Sequence, residues 1–109
     1  MAIDTGKIVE DVVTKTKALA EEKFKQYTKQ AVADVKGTLE KGEADLKRWT
    51  EQLATNKIDN EEFKSLVRGK LDVAEMRALK QAGLAEVQIQ SFVNGVIDIV
   101  VEAALAAIP

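Results

Sequence analysis

Apolar residues recur at steps of three and four along almost the whole chain, and this spacing limits what the chain can fold into. A turn of α-helix takes about 3.6 residues, so residues at such steps share one helical face. No segment alternates polar and apolar residues for long enough to predict a strand. In the first half the stripe comprises Ile8, Val9, Val12, Val13, Leu19, Ala20, Phe24, Tyr27, Ala31, Val35, Leu39, Leu46, Trp49 and Leu53. The sequence therefore predicts an all-α fold.

The first half of the chain predicts one long amphipathic helix over residues 5–54. If unbroken, a helix of about fifty residues would measure roughly 75 Å, whereas a compact domain of this size has a radius of gyration near 13 Å, about a sixth of that length. Gly37 and Gly42 are candidate breaks, because a glycine inside a helix costs roughly 1 kcal/mol. We expect a continuous helix, with a break near Gly37–Gly42 as the alternative that would make four helices rather than three.

The second half predicts an antiparallel pair of helices that packs against the first helix. Asp59 or Asn60 can cap a helix over residues 60–82, and Gly83 supplies a C-terminal stop. The last helix then covers residues 85–107. Because the connection is short, the two helices are expected to be antiparallel neighbours. We find no linker or internal repeat, so residues 1–109 are expected to form a single helical domain.

The last helix is apolar on most of its circumference, and such a helix must be buried on most of it. One facing helix cannot cover this surface, which leaves either the other two helices of the chain together or a second copy. We favour self-association into a helical homo-oligomer or a larger assembly. The expected interface comprises Trp49 as an anchor together with Val93, Val96, Ile97, Val100, Val101 and Leu105.

Two polar patterns resemble ligand sites, and both have a simpler interpretation. Asp98 and Glu102 lie one helical turn apart, but a metal site in a helical bundle normally needs more carboxylates and a histidine. We interpret them as a solvated stripe, with a polar contact across a subunit interface as the alternative. The segment 58–63 is similar to the end of a calcium-binding loop. In that alignment a leucine, Leu53, occupies a ligand position, so we interpret the segment as a helix cap followed by a core phenylalanine.

The composition of the chain argues against several classes of function. The chain contains no histidine and no cysteine, which excludes histidine-based catalysis, a cysteine nucleophile, disulfides and common zinc sites. No glycine-rich phosphate loop is present, so we expect no enzyme activity, cofactor, metal or small-molecule substrate. The 16 basic and 18 acidic residues leave a net charge of −2. This balance argues against nucleic-acid binding, which normally needs a concentrated positive face.

The charge distribution also bears on location and on rival functions. Asp4, Lys7 and Glu10 interrupt any apolar run near the start, so no secretory signal is predicted and the cytoplasm is the expected location. The apolar run 96–108 is too short to span a bilayer. The first rival function is binding to a lipid or membrane surface through amphipathic helices, although no basic residue follows Lys80. The second is a small adaptor for another protein.

Overall fold

A computed structural model describes residues 3–109, and all the regular structure in this range is helical. The all-α class is therefore confirmed, and no strand occurs between these residues. The α-helices are α1 (Thr5–Phe24), α2 (Thr28–Lys41), α3 (Glu43–Ala54), α4 (Asn60–Lys70), α5 (Arg77–Gln81) and α6 (Glu86–Ala107). Short 3-10 helices cover Lys25–Tyr27, between α1 and α2, and Val73–Glu75, between α4 and α5.

The expected continuous helix over residues 5–54 is wrong. It is interrupted by the 3-10 turn Lys25–Tyr27 and again at Gly42, where the alternative break is confirmed. The longest dimension of the molecule is 42 Å, which is too short for a straight helix of about fifty residues at about 1.5 Å per residue. The first half of the chain therefore folds back on itself instead of forming one long straight helix.

Burial explains why the chain turns after Phe24 although no glycine or proline marks the place. After the turn, α2 lies along α1 and buries Ala31, Val35 and Leu39. Ala20 and Ala31, on either side of the corner, are both 0% exposed, and side chains this small let two helices approach closely. A continuous helix would have left this apolar stripe of α2 in water, so the gain in burial outweighs the hydrogen bonds lost at the corner.

The expected helix over residues 60–82 is also divided. Its start is as expected: Asp59 accepts a hydrogen bond from the backbone N–H of Glu62 at 2.8 Å, and the Glu62 carboxylate accepts one from the N–H of Asp59 at 3.1 Å. Phe63 follows and is fully buried, which confirms the interpretation as a cap and a core phenylalanine. The helix ends at Lys70, and the chain changes direction before α5, so that Leu71, Val73, Met76 and Leu79 all reach the core.

The last helix, α6, matches the expected range within a residue and lies against both α1 and α4. The turn before it contains Gly83 with a φ of 93°, a conformation that favours glycine. Near its start, Phe92 packs edge-on against Phe24 of α1, with ring centroids 5.3 Å apart. The C-terminal helix is thus the centre of the core, and its position decides which of the expected interface residues remain available.

Candidate functional site

The middle of α6 is covered by its own chain. Val93, Val96, Ile97 and Val100 are at most 1% exposed and belong to the main hydrophobic core. For these four residues the alternative therefore holds: the chain's own helices cover them, and the favoured cover by a second copy does not apply. These residues are covered because α1, α4, α5 and the 3-10 turn Val73–Glu75 all pack against α6, whereas a single long first helix would have offered it only one face.

Trp49 is placed apart from the end of α6. Its side chain is half-buried against the core and lines a small, partly open gap of about 20 Å³ with Leu46, Val67, Leu71 and Val100 of α6. The indole therefore packs between α3 and α4 of its own chain, whereas we expected it to anchor a second copy. The structure does not bring it to the groove that contains Leu105.

The last turns of α6 line an open apolar groove at one end of the bundle. The groove has a volume of about 580 Å³, and its apolar lining residues are Leu53, Ala54, Ile58, Leu105 and Ile108. Leu105 is 41% exposed, and Ile58, Ile108 and the nearby Val101 are half-buried. Of the lining residues, sequence reasoning identified Leu105 but missed Ile58 and Ile108, and Val101, also expected at the interface, is not among them. The spacing Val101, Leu105, Ile108 was a usable signal, because these steps of four and three place the three residues on one helical face.

The polar stripe of α6 faces solvent. The Asp98 side chain is 64% exposed and forms an ion pair with Lys64 of α4, with 3.2 Å between Nζ and Oδ1, and Glu102 is also exposed. Between residues 3 and 109 no group of three or more carboxylates, histidines or cysteines is arranged to hold a metal ion. The stripe therefore connects α6 to α4 at the surface and offers no evident ligand site.

A second open depression lies on the outer side of α3. It has a volume of about 450 Å³ and is lined by Ala44, Lys47, Arg48, Glu51, Gln52, Thr55 and Lys57. Arg48 also pairs with Asp45 at 2.8 Å, so part of its charge is neutralised. The depression carries net positive charge and shares no lining residue with the apolar groove, although Lys57 and Ile58 are neighbours in sequence.

The length and composition of α6 also bear on membrane association. The whole helix Glu86–Ala107 is long and apolar enough to cross a bilayer, which the shorter run considered from the sequence was not. Because 44% of its most apolar window is buried in the protein, the helix is equally compatible with the core of a soluble bundle, and this observation is weak evidence for a membrane. Comparisons with protein families, curated proteins and solved structures give no significant match to this chain.

Proposed function

We propose that this chain is a non-enzymatic interaction protein of the cytoplasm that associates with copies of itself through the last turns of α6. The observation that carries the proposal is the 41% exposure of Leu105 in a groove whose other apolar residues, Ile58 and Ile108 among them, are also incompletely covered. The absence of histidine and cysteine supports the non-enzymatic part of the proposal.

The strength of the association follows from the size of this groove. Covering a leucine or isoleucine side chain completely is worth about 1.5–3 kcal/mol. The gain per residue is smaller here, because Leu105, Ile58 and Ile108 are already partly covered. A stable interface generally buries at least about 1,000 Å² in total. The groove supplies the apolar centre of such an interface and the surrounding polar residues supply its rim, so we expect a weak, concentration-dependent oligomer.

Sedimentation velocity across a wide range of protein concentration tests the proposal. The wild-type chain should shift from the mass of one chain towards a multiple of it as concentration rises. Leu105→Glu should abolish the shift, because a carboxylate would be placed in the apolar groove beside the acidic Glu61. The matched control is Val87→Glu, on the same helical face about 27 Å away along α6, where the valine is 81% exposed.

The control should keep the wild-type mass, and circular dichroism should show that both variants retain the helical fold. A wild-type chain that remains a monomer at every concentration would contradict the proposal. So would equal loss of association in the two variants, because Val87 lies outside the groove.

Binding to a lipid surface is the second candidate, favoured by the length and apolar composition of α6. It requires α6 to leave the core, because Val93, Val96, Ile97 and Val100 are buried there. Flotation with vesicles of anionic phospholipid distinguishes the two functions. Strong flotation of the intact chain would support the lipid surface, whereas self-association without flotation would support the first proposal.

A further inference from the structure

The corner between α1 and α2 is the one connection between α-helices, within residues 3–109, that carries no local turn signal. Gly42 separates α2 from α3, and Gly83, with a φ of 93°, precedes α6. Asp59 caps α4, and Asp72 caps the 3-10 turn between α4 and α5. The corner Lys25–Tyr27 contains no glycine, proline or asparagine, and no side-chain cap begins its 3-10 turn or α2. Tertiary burial alone therefore holds this turn.

The residues at the corner are suited to a continuous helix. Ala20 and Ala31 are both buried, and the eleven residues between their positions make about three helical turns, so a straight helix keeps both on one face. The Thr28 hydroxyl donates to the C=O of Lys25 at 3.0 Å, a bond that threonine also forms inside helices. Straightening would pair backbone groups that lack helical partners where α1 ends and α2 begins. The backbone thus favours one helix over Thr5–Lys41, and burial opposes it.

The corner is also free to change shape. Lys25 and Gln26 are exposed and Tyr27 is only half-buried. With Leu84 and Gln88 at the start of α6, the corner lines an open depression of about 440 Å³. Straightening therefore removes no fully buried side chain of the corner itself from the core.

We propose that this corner is a hinge through which two copies of the chain exchange α1. In each copy α1 and α2 join into one helix over Thr5–Lys41, about 55 Å long, and α1 packs on α2 and α6 of the other copy. Helices that pack together across a three-residue connection are antiparallel, so the two straight helices of the dimer are antiparallel in the same way. Exchange of an identical element is a low-cost route to a dimer.

The exchanged dimer uses contacts that a single chain already makes. Leu19 of one copy packs against Gly95 of the other, as it does within one chain. Ala31 of α2 is covered by α1 of the other copy, so the burial that turns the chain back is kept without the turn. The two forms differ at the corner and in the entropy of association, so protein concentration and the backbone of the corner decide between them. The groove with Leu105 takes no part, and this mode is separate from the proposed function.

Refolding from urea at low and high protein concentration, followed by size-exclusion chromatography at one common dilution, tests the exchange. Because α1 must leave the core to exchange, a dimer formed at high concentration should persist after dilution, whereas association through the groove should reverse at once. The wild type should give this persistent dimer only after refolding at high concentration. Leu105→Glu should give it equally. A wild type that is a monomer after dilution from every refolding concentration would overturn the exchange and leave the groove untested by this result.

Glycine at the corner should shift the balance towards the monomer. Gln26→Gly disfavours the straight helix but is placed in a turn in the monomer, and each dimer contains two such hinges. The dimerisation constant on refolding should therefore fall about tenfold or more. The matched control is Lys17→Gly, at an exposed position of α1 that is helical in both forms. It should destabilise monomer and dimer alike and keep the wild-type dimer fraction. Equal dimer fractions in the two variants would overturn the hinge.

Cysteine cross-linking identifies the element that is exchanged. The chain contains no cysteine, and a Cβ atom at position 95 would lie 3.9 Å from Cγ of Leu19, within the range that a disulfide bridges. Leu19→Cys and Gly95→Cys are made in separate chains and refolded together at high concentration, with circular dichroism as the check on folding. Mild oxidation should join the two different chains in the persistent dimer. A persistent dimer without this disulfide would overturn the exchange of α1, whereas the effect of Leu105→Glu on reversible association judges the proposed function separately.

Discussion

The carboxylate of Asp34 in α2 accepts a hydrogen bond from the backbone N–H of Leu79 in α5, with 2.9 Å between the two atoms. Its other oxygen accepts from the N–H of Ala78 at 3.0 Å. The first N–H groups of a helix have no partner within the helix, and Met76, the residue before α5, provides no side-chain cap. A residue more than forty positions earlier in the chain therefore caps this short helix.

Replacing Asp34 with alanine should lower the free energy of unfolding by about 1–3 kcal/mol, because two partly buried N–H groups lose charged acceptors. Urea unfolding measures the loss. Relative to the wild type, the substitution should speed hydrogen exchange more at Ala78 and Leu79 than at residues of α6. The control is Glu40→Ala, at an exposed position in the same helix. Equal unfolding midpoints for the two variants would contradict a capping role for Asp34.

Ile97 is 1% exposed within a single chain, so Ile97→Lys should unfold the protein rather than simply separate copies of it. The substitution removes a buried side chain and places a charge in the core, and together these effects should cost more than about 4 kcal/mol. Val87→Lys, at the 81% exposed position, should leave the thermal midpoint nearly unchanged. A folded Ile97→Lys chain with the wild-type midpoint would show that α6 is packed differently.

The helix boundaries that the sequence predicts correctly are those that carry a local signal. Asp59 with Glu62 marks the start of α4, and Gly83 marks the turn before α6, and both can be recognised without knowing the tertiary structure. The corner at Lys25–Tyr27 has no such signal. Its cause is the burial of Ala31 and Val35 against α1, a tertiary effect that periodicity along one helix does not contain.

The candidate site was predicted only in part for the same reason. An apolar helix indicates burial but does not indicate which molecule covers it. Once the chain turns back after Phe24, enough helices surround α6 to cover Val96 and Val100, and only its last turns, with Leu105, remain exposed. Asp34 was also missed, because its partners Ala78 and Leu79 are distant in sequence.

The stability of the protein should depend on pH through Asp45, which connects α3 to α4. Its carboxylate accepts hydrogen bonds from Lys70 of α4, at 2.9 Å, and from Arg48, at 2.8 Å. These two cations hold the pKa of Asp45 below its ordinary value of 3.8. Because the folded state lowers this pKa, the stabilisation is present above the unfolded pKa and is lost as the pH falls through the folded one.

Urea unfolding at a series of pH values below about 4 measures this dependence. Asp45→Asn should show a smaller fall in the free energy of unfolding over that range than the wild type. Lys70→Gln removes the cation that lowers the pKa of Asp45 most. It should likewise reduce the fall in the free energy of unfolding at acid pH. If both variants keep the wild-type slope at acid pH, Asp45 does not contribute to it.

The close approach of Leu19 of α1 to Gly95 of α6 predicts different effects of alanine at two helical glycines. A Cβ atom at position 95 would lie 2.8 Å from Cδ2 of Leu19, whereas at Gly37 in α2 it would meet nothing within 4 Å. Gly37→Ala should therefore stabilise the protein by about 0.5–1 kcal/mol, because alanine favours the helix and restricts the unfolded chain. Gly95→Ala should gain less, since Leu19 must move to make room.

Valine enlarges the difference between the two positions. At position 95 its methyl groups must displace Leu19, and overpacking of this kind costs about 1–3 kcal/mol. At position 37 the same substitution enters open space and should be nearly neutral. Urea midpoints of the four variants measure the contrast. If Gly95→Val is tolerated as well as Gly37→Val, α1 and α6 do not approach each other as closely at Leu19 as the structure places them.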